Sequence, residues 1–160
     1  MAQINDIIDE LNTIATAFTS VNSFIFDEIG AINEDRSKTY PAILVDSRNI
    51  DINPITLNRS NLPQRVDYTL RLFFLDTYQV SEQKTTTKQT KYAALETIAN
   101  QYLAEVKRRT ESLSKGFFLK SRSINNGFIV DKVHNDDLVQ LVYSATFEAD
   151  NDCNLGTFNY

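Results

Sequence analysis

The stretch Val66-Asp67-Tyr68-Thr69-Leu70-Arg71-Leu72-Phe73-Phe74-Leu75-Asp76 decides the fold class. Val66, Tyr68, Leu70, Leu72 and Phe74 are all apolar, while the positions between them run from Asp67, Thr69 and Arg71 to Phe73 and Leu75. Alternation with a period of two is that of a β-strand, so one face is wholly apolar and the other turns from polar to apolar. The far end of this strand is therefore expected to be covered on both sides. A second such stretch runs from about Leu138 to Ala149, with Val139, Leu141, Tyr143, Ala145 and Phe147 on one face and Gln140, Ser144, Thr146 and Glu148 among the other. Between the two, Tyr92, Leu95, Ala99, Tyr102 and Val106 step by three and four, the spacing of a helix, and Thr86 followed by Gln89 offers a capping box at its start.

Working outward, Ile4, Ile7, Ile8, Leu11, Ile14, Ala15 and Phe18 form one apolar stripe and predict a helix over 3–19, whose stripe must be covered. Phe24, Ile25, Phe26, Ile29 and Ile32 read as a strand that ends in a polar loop, and Tyr40-Pro41-Ala42-Ile43-Leu44-Val45 as a second strand. Residues 46–64 mix Asp, Asn, Arg and Ser with Pro54 and Pro63 and read as an extended connection. So long a loop is either a contact surface, with Pro54, Leu57 and Leu62 as its apolar points, or a plain connection. Asn126-Gly127 suits the left-handed angles of a tight turn, so a β-hairpin is expected between the apolar residues on either side of it. Residues 151–160 read as a polar tail after a single domain over 1–150. The resulting order is α-β-β-β-α-β-β-β, an α+β fold: a mainly antiparallel sheet with an N-terminal helix and a long central helix packed on one face.

A chain of 160 residues that is 42% hydrophobic and 23% charged has the composition of a globular domain. Such a chain buries about 70% of the surface its unfolded form exposes, enough for a core without staples. No apolar run is long enough to cross a bilayer, and Met1-Ala2-Gln3-Ile4-Asn5-Asp6 has no basic region before an apolar one, so neither a membrane anchor nor a secretion signal is expected. A lone cysteine, Cys153, cannot close an internal disulfide, which suits a reducing compartment. Acidic residues outnumber basic ones by 21 to 16 for a net charge of −5, which argues against a tight grip on nucleic-acid phosphates.

The residue types that usually carry chemistry are scarce. The one histidine, His134, lies in a polar turn with no serine nucleophile motif or activated cysteine beside it. One His and one Cys cannot fill a zinc site. Asp150-Asn151-Asp152-Cys153-Asn154 matches the first ligand positions of an EF-hand loop, but Leu155 stands where the turn glycine is needed, and the chain ends before the closing glutamate. The four glycines are too scattered for a phosphate loop. Lys107-Arg108-Arg109 complements a helix C-terminus, with a phosphate or acidic-partner contact as the functional alternative. Lys84, Lys88 and Lys91 sit at a helix start, where the dipole disfavours them, and are more interesting as a contact site. No catalytic, cofactor or metal residues are assigned, and an interaction module is favoured over an enzyme.

The helix from Ile4 to Phe18, the Tyr40-to-Val45 segment, the Val66-to-Asp76 strand, the helix from Tyr92 to Val106 and Tyr143-Ser144-Ala145-Thr146-Phe147-Glu148-Ala149-Asp150 follow one another in an order that resembles the tail-terminator and neck proteins of tailed bacteriophages. The resemblance spans most of the chain and rests on pattern and order rather than on a short motif. It implies a non-enzymatic virion component, assembled in the host cytoplasm. Such a component forms a homo-oligomeric ring of six or twelve copies that contacts portal, neck or tail proteins and leaves a lumen for passing DNA. A negative lumen lets DNA slide, and Asp27, Glu28, Glu34 and Asp35 are its candidates. Ring closure needs heterologous interfaces: the first strand pair and the Asn126-Gly127 hairpin are expected to add to a neighbour's sheet, and the Asp46-to-Gln64 loop, with Pro54, Leu57 and Leu62, to lie across it. Ile4, Ile7 and Leu11 are the candidate interface residues of the first helix. Two rival readings are a monomeric adaptor or assembly chaperone that docks a partner on the first helix, and a small-ligand-binding protein or enzyme working through a buried carboxylate.

Overall fold

The computed structural model describes residues 3–28, 39–55, 65–77, 85–111, 115–124, 129–131 and 138–150. In chain order the elements are α1 (Ile4–Ala17), β1 (Ser23–Asp27), β2 (Ala42–Asp46), β3 (Asp51–Ile55), β4 (Arg65–Thr77), α2 (Thr85–Thr110), β5 (Phe117–Ile124), β6 (Ile129–Asp131) and β7 (Leu138–Asp150). The α+β class, the two helices and the mainly antiparallel sheet are as the sequence implies, with one strand more than expected.

β4 and β7, each 13 residues long, pair antiparallel along their whole length, from Arg65 opposite Asp150 to Thr77 opposite Leu138. Each then carries a broken strand on its other edge. Along β4, β2 pairs with the Leu72-to-Leu75 end and β3 with the Arg65-to-Thr69 end, both antiparallel. Along β7, β5 pairs with the Tyr143-to-Ala149 end and β6 with the Leu138-to-Gln140 end. β1 extends the sheet beside β2 and is parallel to it, giving the order β1-β2-β4-β7-β5.

Two sequence expectations are corrected by this arrangement. Residues 46–64 are not one open connection, because Asp51–Ile55 forms β3. Its residues are mostly exposed, so it lacks a buried apolar face to announce it, and Pro54 is tolerated because an edge strand needs no donor on its outer side. β5 and β6 do not fold back on each other about Asn126-Gly127; both lie on the same edge of β7 and run the same way along it. The residues of that turn lie outside the described residues.

Alternation along β4 and β7 sorts their side chains onto two faces. Leu70, Leu72 and Phe74 join Val139, Leu141, Tyr143, Ala145 and Phe147 under both helices. α1 contributes Ile7, Leu11, Ile14 and Ala15 to this core, and α2 contributes Leu95, Ala99, Tyr102, Leu103 and Val106. Full burial of a side chain the size of leucine stabilises by roughly 1.5–3 kcal/mol, so the stripes on the two helices hold them to the sheet. Aromatic edges close the packing: Phe74 meets Tyr102 and Tyr143 in T-shaped contacts at 5.9 and 5.7 Å, and Phe117 meets Phe147 at 6.3 Å.

The opposite face changes character along its length. Phe73, Leu75, Leu138 and Val142 are buried with Ala42 and Leu44 at one end, against Ile25 and Tyr40. At the other end the same face carries Arg65, Asp67, Thr69, Thr146 and Glu148. The far end of the 66–76 strand is thus buried on both sides, as its sequence implies.

Candidate functional site

An outermost strand presents one row of backbone N–H and C=O groups with no partner in its own sheet, and such a row is a template for another strand. Among the described residues, β1 ends the sheet on one side and β5 with β6 on the other, while β3 pairs only with β4. The exposed large apolar side chains of the described residues all fall on these rim strands: Phe26 on β1 (45% exposed), Ile52 on β3 (61%) and Ile124 on β5 (54%). None lies on a helix. Large apolar exposure among the described residues thus falls on the rim strands and not on the helix layer.

Local chemistry gives the rims opposite charge. β1 ends in Asp27, whose carboxylate accepts the Glu28 amide hydrogen at 2.7 Å. Glu28 follows and pairs with Arg48 at the surface. On the other side a groove of about 540 Å³ runs between the end of α2 and β5, lined by Ala104, Lys107, Arg108, Glu111, Lys120 and Arg122 among others. Arg108 is held by Glu105 through two hydrogen bonds of 2.6 and 2.8 Å, which lower the Glu105 pKa and raise that of Arg108. Lys120 reaches across the polar end of the sheet to Asp67 at 2.8 Å and Glu148 at 3.3 Å; these bonds, Asp67 first, hold its ammonium above the ordinary lysine range. Arg65 also meets Glu148, at 2.5 Å.

A second set of charges joins elements within the subunit. Glu10 is 8% exposed and receives Lys115 and Arg109, the latter 2.6 Å away as an ion pair by distance rather than an aligned hydrogen bond. It thereby ties α1 to the end of α2 and to the approach to β5. Of the Lys107-Arg108-Arg109 run, two members are thus engaged within the chain and Lys107 is exposed. Lys91 binds Asp76 at 3.0 Å and is structural as well. The Thr110 hydroxyl donates to the Val106 carbonyl at 2.8 Å and accepts the Leu119 amide at 3.0 Å, fixing where β5 leaves the helix. Gly116, with φ at 76°, takes the left-handed turn between them, and its carbonyl accepts the Asp150 amide hydrogen at 3.0 Å.

The interface role assigned to the first helix is corrected. Ile7 and Leu11 are 0% and 1% exposed within the chain's own core, and Ile4 packs against it half-buried. The stripe is consumed by the sheet, which also removes the surface the adaptor reading needs. Pro54 is exposed on β3, while Leu57, Leu62, Asn126, Gly127, Glu34, Asp35, His134 and residues 151–154 lie outside the described residues. Asp27 and Glu28 sit together at the β1 rim.

No family model matches the chain, and no curated protein matches it. The site is therefore read from its own chemistry. No group of three or more His, Cys, Asp or Glu residues able to hold a metal ion occurs among the described residues. The depression of about 480 Å³ beside α1 is lined by Asp6, Asp9, Glu10 and Lys115, of which Glu10 is paired and Asp6 accepts the Gln3 amide at 2.6 Å. No helix of the described residues is long and apolar enough to cross a membrane. What the sequence does not reveal is the exposure of Phe26, Ile52 and Ile124; Ile52 and Ile124 stand between polar neighbours and Phe26 beside Asp27, a signal that does not tell a rim strand from a central one.

Proposed function

We propose that this chain is a non-enzymatic structural protein of a tailed-phage virion, a ring-forming component of the neck or tail-terminator region, assembled in the host cytoplasm. The observation that carries the reading is the confinement of large exposed apolar side chains to the rim strands β1, β3 and β5. A subunit that must join two neighbours needs two different sticky surfaces on opposite sides, and a sheet with two unpaired rims supplies them. The resemblance in pattern and order to tail-terminator and neck proteins gives that association its setting. Six or twelve copies would close the circle and meet portal, neck or tail proteins at its two ends. The net charge of −5 suits a passage through which DNA moves without sticking.

Native mass measured over a wide concentration range, followed by negative-stain imaging, tests the proposal. The expected species is an integral multiple of 18.3 kDa that appears as an annulus with a central hole. Particles that stay monomeric at every concentration, or that close as compact dimers, would overturn it.

A further inference from the structure

We infer that neighbouring copies join by antiparallel pairing of β1 from one subunit with β5 of the next, so that the sheets run on from subunit to subunit. The inference rests on the ring reading and assigns the strands that make its joint. Four observations carry it. First, β1 and β5 are the two ends of the sheet order, so each has one backbone edge without a partner among the described residues. Second, the pairings make β1 parallel to β2, and β2, β4, β7 and β5 successively antiparallel, so β1 and β5 run in opposite directions. A head-to-tail repeat preserves strand direction and sheet face, so β1 of one copy meets β5 of another antiparallel, with the helix-bearing faces on the same side.

Third, the exposed side chains fall on matching faces. Phe26 is aligned with Val45 and Ile124 with Tyr143, and both of those partners belong to the core under the helices. Phe26 and Ile124 are therefore on the same face, at opposite rims, and pairing one against the other removes both from water. That register sets Asp27 opposite Ser123 and Glu28 opposite Arg122.

Fourth, charge complements the pairing. In an antiparallel pair of two β1 strands, the register that sets Phe26 against Phe26 puts Asp27 opposite Ile25 and Glu28 opposite Phe24, so like-strand pairing gives the acids no basic partner. Pairing β1 with β5 sets Asp27 and Glu28 beside Arg122 and Lys107, the latter lining the groove next to β5. The same choice makes the contact heterologous, which generates rings or filaments rather than closed dimers. In this arrangement Asp27 and Glu28 serve the joint and not the lumen.

Thiol cross-linking in a Cys153→Ser background tests the pairing. D27C and S123C proteins are prepared separately, treated with a short bis-maleimide alone and after mixing, and resolved under denaturing conditions, while the native mass of each sample is recorded. The expected result is a covalent dimer in the mixture and none in either protein alone, with a ladder of multimers from the D27C/S123C double variant. In parallel, I124K is expected to raise the concentration for half-assembly at least tenfold with an unchanged melting temperature. Self-linked dimers of either single variant, assembly of I124K at the original concentration, or an assembled species without the 27-to-123 link would each overturn the pairing. A closed species lacking the link leaves the ring standing, whereas a linked ladder without any closed species leaves the pairing standing and removes the ring.

Discussion

Tyr102 shows how one position can be legible as core and silent about its polar atom. Its helical spacing marks it as buried, and it is 0% exposed. The hydroxyl, which the spacing does not locate, donates to the Leu11 carbonyl at 2.6 Å and joins α2 to α1. Burial, with the charge of Glu10 as a smaller cause, raises the phenol pKa far above its ordinary value. An acid whose folded pKa is raised stabilises the fold fully below its unfolded pKa, near 10 for tyrosine, and that contribution is lost as pH rises beyond it. Tyr102→Phe is expected to cost about 1 kcal/mol at neutral pH through the lost hydrogen bond, yet to show a shallower loss of stability above about pH 10. Urea unfolding at neutral and alkaline pH reads both effects. Glu10 was no candidate from sequence, since one acid on a polar-looking helix turn does not reveal cations brought from residues 109 and 115. With both partners about one-third exposed, Glu10→Gln is expected to cost roughly 1–2 kcal/mol, less than a fully buried pair, as read from the urea midpoint.

At the scale of elements, strong periodicity was decisive wherever an element buries a face. β4, β7, α1 and α2 occupy nearly the ranges their spacing predicts, because each must present an unbroken apolar row to the same core. α2 packs closely enough on the sheet for Ala99 to be fully buried, so Ala99→Leu is expected to destabilise by about 1–3 kcal/mol through overpacking, measured by denaturant unfolding. At the entry to β5, Gly116→Ala is expected to cost about 1–2 kcal/mol, because a Cβ at positive φ meets the carbonyl; the urea midpoint reads it. β3 and the path of β5 into β6 were not legible. β3 contributes no buried side chain to the core, and a rim strand is specified by which strand it pairs with rather than by its own pattern.

For the whole molecule, assembly and folding are expected to separate. Removing residues 151–160, or shortening the 56–64 segment while leaving β3 intact, is expected to raise the concentration at which multimers form and leave the melting temperature within a few degrees of the parent. Native mass and thermal unfolding measured on the same variants check this, and equal assembly in both variants would assign contacts elsewhere. The boundary at residue 56 follows from β3, whose pairing with β4 makes any cut into Asp51–Ile55 a cut into the sheet.

The sequence alone determined the class of this protein: an α+β chain with two long strands, two helices facing one core, and a strand end buried on both sides. Those features follow from periodicity, which records which side chains must leave water. Only the tertiary structure decided that the first helix's stripe belongs to the subunit's own core, that β3 exists, and that Phe26, Ile52 and Ile124 stand on unpaired rims. Strand order and edge status arise from backbone pairing between distant segments, and every residue but proline offers the same backbone donor and acceptor, so apart from Pro54 on β3 the side-chain pattern carries little record of them.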